Sequence, residues 1–454
     1  MSSRTPATVL RQTVDTRALL PVGIARPRTR NHVCLQAIRG IAALLLAVWA
    51  TGTATAAESG AARPQGLPLL KIKDFEYVGA FRLPARKHGQ SELNYSEGPI
   101  ALNPDRQSLF IVGHAHQQAI AEFPIPELLD STVLAELNMA GDPIQPFAAV
   151  LNRASGGNPQ GNNRIGGMLY VSGPDGPELL LNAYEYYDAP GDNTLSMLVV
   201  RDASDLAKSE VDGYFEVQGR PGHTAGWMSP IPGPWRSLLG GDFLTGSSSG
   251  IPIISRTSVG PSAFVFNPLD LVGKRTVSTP IATVRLLDFS LAHPLHADLS
   301  NESRKNDLWN HLSRAVYGII VPGTRTYATF GNSGGNESGI GYKIVQDNGR
   351  RTGGYSSFAV KDNYHYYWLW DVNDLARVKR GEMKSYDVRP YEHGIFHTPF
   401  AGSSNKLGGG AFDAATGRIY LTAQAADRQQ GTYANPPVVM AYKALVPPHA
   451  KPRR

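Results

Sequence analysis

The stretch Trp368-Leu-Trp-Asp-Val-Asn-Asp-Leu-Ala-Arg-Val-Lys-Arg-Gly-Glu-Met-Lys-Ser-Tyr-Asp-Val388 reads as a strand, a tight Asp-Leu turn and a second strand. The same grammar recurs from Val199 to Val217 around Asp205-Leu206 and from Ala263 to Val284 around Asp270-Leu271. It returns more loosely from Ala121 to Leu137 around Glu127-Leu128. Units that recur in this way cannot each bury a core alone, so they must pack on one another.

Hairpins with Gly or Pro at their turns precede these units. Pro99 to Val112 turns at Asn103-Pro104-Asp105, Met168 to Ala183 at Gly173-Pro174-Asp175-Gly176, and Ala315 to Phe330 at Pro322-Gly323. A last hairpin, Ala411 to Ala423, turns at Ala415-Thr416-Gly417. A hairpin followed by strand, Asp-Leu, strand makes a four-stranded sheet. Five such sheets are countable, the one near Ile251 to Phe266 being the most irregular.

They are spaced more widely than the roughly 40 to 50 residues of a bare propeller blade. The excess lies in Arg153 to Arg164, Gly219 to Gly250 and Ser333 to Ser357, as long loops on one face or as degenerate blades. Two strands lack partners: the alternating run from Leu69, and Pro437-Val-Val-Met-Ala-Tyr442 near the other end. Together they complete one unit. The expected fold is therefore all-β, a β-propeller of five to seven four-stranded blades with its ring closed by the N- and C-terminal strands. A β-sandwich and a β-helix are the competing architectures.

At 454 residues, 42% of them hydrophobic, the chain has the composition of a globular protein. Its formal charge of +6 suggests a polyanion binder until the charges are located. Residues 1–56 hold seven arginines, no lysine and one acid, and removing them from the totals of 44 and 38 leaves 37 basic and 37 acidic groups. The neutral body argues for neither nucleic acid nor membrane as partner.

Arg39, the apolar run Ile41 to Ala50 and the small residues Ala54-Thr55-Ala56 read as a signal peptide, so the protein is expected to be secreted, periplasmic or extracellular. Residues 1–30 are long and Arg-rich for such a leader, which suggests an over-extended gene start. The single cysteine, Cys34, precedes the apolar run, so the exported chain would have no thiol. The expected organisation is a leader over 1–56, a linker over 57–68, the propeller over 69–444 and a basic tail over 445–454, as a monomer.

Gly113-His114-Ala115-His116-Gln117-Gln118 follows the apolar strand Leu109 to Val112. A strand continued through it sets His114, His116 and Gln118 in one row. Two imidazoles and an amide suit a metal, or a general base with an orienting donor. Solvated strand-end histidines are the plainer alternative. Tyr184, Tyr186 and Tyr187 end the next hairpin with phenols on both faces. Arg201 and Arg256, each after an apolar strand, are guanidinium forks for a carboxylate, or partners of nearby acids. His114 or His116, one of Tyr184, Tyr186 and Tyr187, and Arg201 are expected to line one pocket, with His223 at its edge.

In the aromatic run Tyr364 to Trp370, Trp368 and Trp370 are expected in the core, while His365 and Tyr366 are rim candidates. His293 with His296, and His393 with His397, have metal-like spacing but no nearby third ligand. A metal stays unknown. The glycines from Gly331 to Gly341 read as a flexible connection, and there is no His-Glu-x-x-His or Asp-x-Asp-x-Asp motif.

Several phrases are similar to those of secreted propeller-like proteins: Tyr77-Val-Gly-Ala-Phe-Arg-Leu-Pro, Ser108-Leu-Phe-Ile-Val-Gly-His, Pro252-Ile-Ile-Ser-Arg with Gly260-Pro, and Gly417-Arg-Ile-Tyr420. The chain resembles β-propeller polysaccharide lyases of the ulvan lyase type, in blade grammar and residue types. The resemblance implies seven blades and a histidine, tyrosine and arginine site on the ring's face, here His114 or His116, Tyr184, Tyr186 or Tyr187, and Arg201.

It implies β-elimination on a uronate-containing, acidic polysaccharide. That reaction needs a cation to neutralise the carboxylate, a base for the C5 proton and an acid for the leaving oxygen. It requires no nucleotide or redox cofactor, and a structural divalent metal is compatible with it. The alternatives are a non-catalytic glycan- or protein-binding propeller, and a glycoside hydrolase drawing on Glu97, Glu185 or Asp188.

Overall fold

A computed structural model describes residues 64–248, 251, 253–274, 279–401 and 406–447. The leader with Cys34, the linker up to position 63, Pro252 and the tail from position 448 lie outside the described residues.

The chain enters through β1 (Phe75–Arg82) and then builds its sheets in sequence. Blade one is β2 (Ile100–Asn103), β3 (Ser108–Val112), β4 (Ala119–Pro124) and β5 (Gln145–Ala149). Blade two is β6 (Arg164–Gly173), β7 (Gly176–Tyr184), β8 (Leu195–Val200) and β9 (Val211–Glu216). Blade three is β10 (Met228–Pro230), β11 (Phe243–Thr245), β12 (Ala263–Phe266) and β13 (Val284–Leu287).

Blade four begins with β14 (Arg314–Ile320) and β15 (Thr326–Gly334). A separate two-stranded arm follows, β16 (Ile340–Tyr342) with β17 (Tyr355–Ser357). The blade then ends with β18 (Asn363–Asp371) and β19 (Glu392–Ile395). Blade five is β20 (Leu407–Asp413), β21 (Arg418–Ala423) and β22 (Val438–Ala444), completed by β1, which pairs antiparallel with β22 from Phe75↔Ala444 to Arg82↔Val438.

The protein is thus a five-bladed propeller. The two orphan strands meet as the sequence pattern expects, and the seven blades implied by the resemblance are corrected to five. First strands of neighbouring blades touch all round the axis, β2 with β6, β6 with β10, β10 with β14, β14 with β20 and β20 with β2. Most of the core lies between blades. One apolar cluster joins blades one and two, another joins blades five and one through Phe81 and Val439, and a third joins blades two and three through Leu180 and Phe266. Trp368 and Trp370 are buried in the largest cluster, because β18 is covered on both faces, and their indole N–H groups reach Leu308 O at 2.7 Å and Thr329 Oγ1 at 3.1 Å.

The Asp-Leu units link third strands to fourth strands, and at two corners they are helical turns. Asp371 caps the helix Val372–Lys379 by accepting from Asn373 N at 2.9 Å, and Pro268–Leu271 is a single 3-10 turn. The leucines at Leu206, Leu271 and Leu375 are buried plugs. Blade three departs from the sequence reading. Its inner hairpin, β10 and β11, lies within Gly219 to Gly250, where strands of three residues flank the helix Gly233–Leu239 and are too short to show a period.

A ring of only five blades brings first strands very close together. A Cβ placed on Gly167 would stand 2.3 Å from Gly226 O, and one on Gly408 would stand 2.2 Å from Glu97 O. Gly167→Ala is therefore expected to cost about 1 to 3 kcal/mol of stability by forcing β6 away from blade three. Gly233→Ala, which meets no atom within 4 Å, serves as the matched control. Equal denaturant midpoints for the two variants would refute this account of blade spacing.

Candidate functional site

Antiparallel blades send second and fourth strands towards one face, here called upper, and first and third strands away from it. The long insertions 83–99, 150–163, 185–194, 288–313 and 335–362 all leave the strands at that upper end, and the Asp-Leu corners close the lower one. Side chains just before each first strand therefore ring the upper mouth.

Three of them are cations. Arg164 opens β6, Arg314 opens β14 and Lys406 directly precedes β20. The acid among them is Glu97, whose Oε2 lies 3.5 Å from Arg164 Nε. Among the described residues, Arg314 and Lys406 have no side-chain ion pair or hydrogen bond. Lys406 is exposed, and its ammonium is held below the usual lysine value by desolvation and then by Arg314, against a smaller opposing pull from Glu97. Gln424 Nε2 donates to Glu97 O at 2.9 Å and Leu407 O at 3.3 Å, which ties blades one and five together beneath this rim.

The cations escaped the sequence reading because each is a lone basic residue, far in sequence from the others. The signal was positional: a basic residue immediately before the first apolar position of the inner strand, in three of the five blades. Unpaired like charges at one mouth are costly to keep in a neutral body, and they suit an anionic ligand.

Around this rim the predicted residues sort into two groups. The strand ahead of His114 ends at Val112, and a turn follows in place of the expected continuation. His116 N donates to His114 Nδ1 at 3.1 Å, the two rings are 5.4 Å apart, and Tyr95 meets His114 edge-on at 5.5 Å. Gln118 leaves the expected row and is buried, its Oε1 accepting from Ile165 N at 2.7 Å in blade two. Ser96, beside Glu97, bridges to His114.

In blade two the Arg164 guanidinium carbon lies 4.9 Å over the Tyr186 ring. His114, Glu97, Arg164 and Tyr186 thus occupy neighbouring positions on the rim of blades one and two. His116 and Tyr187 are exposed beside them, while Tyr184 is only 3% exposed and packs inward.

The others lie elsewhere. Arg201 follows a third strand, so it emerges on the lower face, roughly 20 Å from Tyr184 at ~3.3 Å per residue. There it bonds Asp212 at 2.6 Å, Glu178 at 3.2 Å and Leu271 O at 2.8 Å, and it cannot clamp a ligand bound among the tyrosines. His365 and Tyr366 are corrected from rim to core, 2% and 1% exposed. β18 starts earlier than the apolar pattern suggests and pairs His365 with Asn332, while Tyr366 Oη donates to Asp307 O at 2.6 Å. Gly331 to Gly334, read as part of a flexible connection, belong to β15.

Arg256 is on the upper face, but its Nη2 donates to Ala189 O at 2.9 Å and so braces the loop carrying Tyr186 and Tyr187. His223 stands 2.7 Å from Asp288 through Nδ1. Of the metal-spaced pairs, His293 stacks on Tyr386 at 4.2 Å and His296 accepts from Asp298 N. Among the described residues no three His, Cys, Asp or Glu side chains gather for a metal.

The upper face has a second property. Of the seven exposed tyrosines among the described residues, six stand on its loops, Tyr95, Tyr186, Tyr187, Tyr342, Tyr355 and Tyr433, against Tyr391 below. The upper face thus combines a cationic mouth with a rim of exposed tyrosines.

No family model matches the chain, and no curated protein does. Among solved structures it is similar to a protein from Thermus thermophilus described as an oxidoreductase (glucose dehydrogenase), at 12% identity and a TM-score of 0.30, over 83% of this chain and 100% of that one.

Proposed function

We propose that this chain is an exported propeller that binds a uronate-containing, acidic glycan across its upper mouth and cleaves it by β-elimination. The observation that supports this is the mouth itself, where Arg164, Arg314 and Lys406 stand against Glu97 inside a rim of exposed tyrosines. Export rests on the leader read in residues 1–56.

In this scheme Arg314 and Lys406 neutralise the sugar carboxylate, which makes the C5 proton removable. A rim base, Tyr186 or His114, takes that proton. The released electron pair forms the C4–C5 double bond, the C4–oxygen bond breaks, and the second of these two groups protonates the leaving oxygen. Hydrolysis is less well supplied. Glu185 bonds Asn193 at 2.8 Å and Asp188 bonds Gly191 N at 2.8 Å, both within their own loop, so Glu97 lacks a second carboxylate partner from that set. Binding without cleavage is the second reading, favoured by tyrosines that spread along the rim and do not converge on one point.

The test is to incubate the protein with alginate, polygalacturonate, hyaluronan, glucuronoxylan and ulvan while following unsaturated-uronate absorbance and reducing ends. Both signals rising together is the expected result. Reducing ends alone would mean hydrolysis, retention on a polymer with neither signal would mean binding only, and no interaction with any polymer would overturn the proposal.

A further inference from the structure

The arm β16–β17 is inserted between β15 and β18, above the blade whose first residue is Arg314. Tyr342 and Tyr355 are direct cross-strand partners, so their side chains share one face, with ring centroids 5.5 Å apart. Both are exposed. Beneath Tyr355 the His311 ring stacks at 4.0 Å and 16°, and the Lys343 ammonium lies 4.9 Å over Tyr342.

The arm is held firmly at its root. Asp362 accepts from the backbone N–H groups of residues 336, 337 and 338 at 3.2, 3.1 and 2.7 Å. A platform fixed in this way loses little freedom on binding. It is continuous with the mouth, because His311 lies only three residues ahead of Arg314 in the same loop. Burial keeps the His311 imidazole below its usual value, so it supports Tyr355 as a neutral ring.

We propose that this arm is a second sugar subsite, in which Tyr342 and Tyr355 stack the sugar flanking the one held in the mouth and Lys343 meets that sugar's carboxylate. The inference rests on the acidic-glycan reading of the mouth and adds to it a preference for long chains. Exposed aromatic rings with a rigid apolar face and a polar rim suit such contacts, and the adjacent cation matches the charge of a uronate chain.

The test uses oligosaccharides of about two and about eight sugars, cut from whichever polymer of the panel binds, titrated calorimetrically against variants that melt normally. Tyr342→Ala with Tyr355→Ala is expected to weaken the long oligosaccharide tenfold or more and leave the short one unchanged, Tyr342→Phe to bind as the parent does, and Arg314→Ala to weaken both. An unchanged long oligosaccharide, or an equal loss for both lengths, overturns the arm. If Arg314→Ala changes neither while the tyrosine variant loses the long one, the mouth falls and the arm stands. Failure of every polymer to bind the parent chain overturns both.

Discussion

Alanine at both Arg314 and Lys406 is expected to lower affinity for an acidic glycan, or turnover of it, by about 100-fold or more, while the melting temperature holds or rises. The two cations stand on neighbouring blades of the mouth with no acid among the described residues bonded to either, and Arg314 helps to hold the Lys406 ammonium below its usual value. Removing a pair of like charges relieves repulsion in the unliganded fold, and the loss falls on the ligand's carboxylate alone. Such exchange of stability for function marks a built site. Binding should also weaken as salt is raised, since an open mouth is screened within about 10 Å at 0.1 M.

Arg201→Ala is the mirror experiment. It removes a guanidinium held by Glu178 and Asp212, all three largely buried, and should cost about 3 to 5 kcal/mol with no effect on affinity per folded molecule. If Arg201→Ala abolishes binding in a chain that melts normally, or the Arg314/Lys406 pair can be removed without effect, the assignment of faces is wrong.

The ring was legible because its closure depends on patterns that survive in one dimension. Hairpin turns at Gly173 to Gly176 or Ala415 to Gly417 announce two strands whatever lies around them, and the run before Leu83 needs a partner that only Val438 to Tyr442 lacks. Blade three was not legible in the same way, because strands of three residues such as Met228–Pro230 carry no periodicity. The position of Arg201 was not legible for a different reason. His114, Tyr186 and Arg201 all follow apolar strands, but the first two follow second strands and the third follows a third strand. Parity in an antiparallel blade decides the face, so counting strands within each unit would have sent Arg201 to the lower one. His365 was misread because a polar residue ahead of an aromatic run looks like rim, whereas β15 runs to Gly334 and keeps it inside the sheet.

That buried histidine leads to the second large effect, an acid lability of the fold. The His365 ring is enclosed, its Nδ1 is 2.8 Å from Thr398 Oγ1, and burial pushes its pKa down to about 4, with the Lys406 carbonyl opposing only in part. An unfolded histidine titrates near 6.5. Between about pH 6.5 and 4 the unfolded chain binds a proton that the folded chain refuses, so stability falls as pH falls through that window and levels out below it. The loss reaches about 3 kcal/mol once both states are protonated. His311 and His393, lowered by burial as well, add to the slope in the same direction. His365→Gln keeps a polar group for Thr398 but cannot take up the proton, so its unfolding free energy should vary less with pH between 6.5 and 4. Denaturant titrations of both proteins at four or five pH values test this directly: parallel stability curves would mean that His365 is protonated inside the fold, and that the enclosed strand pairing drawn for β18 is not the one the protein adopts.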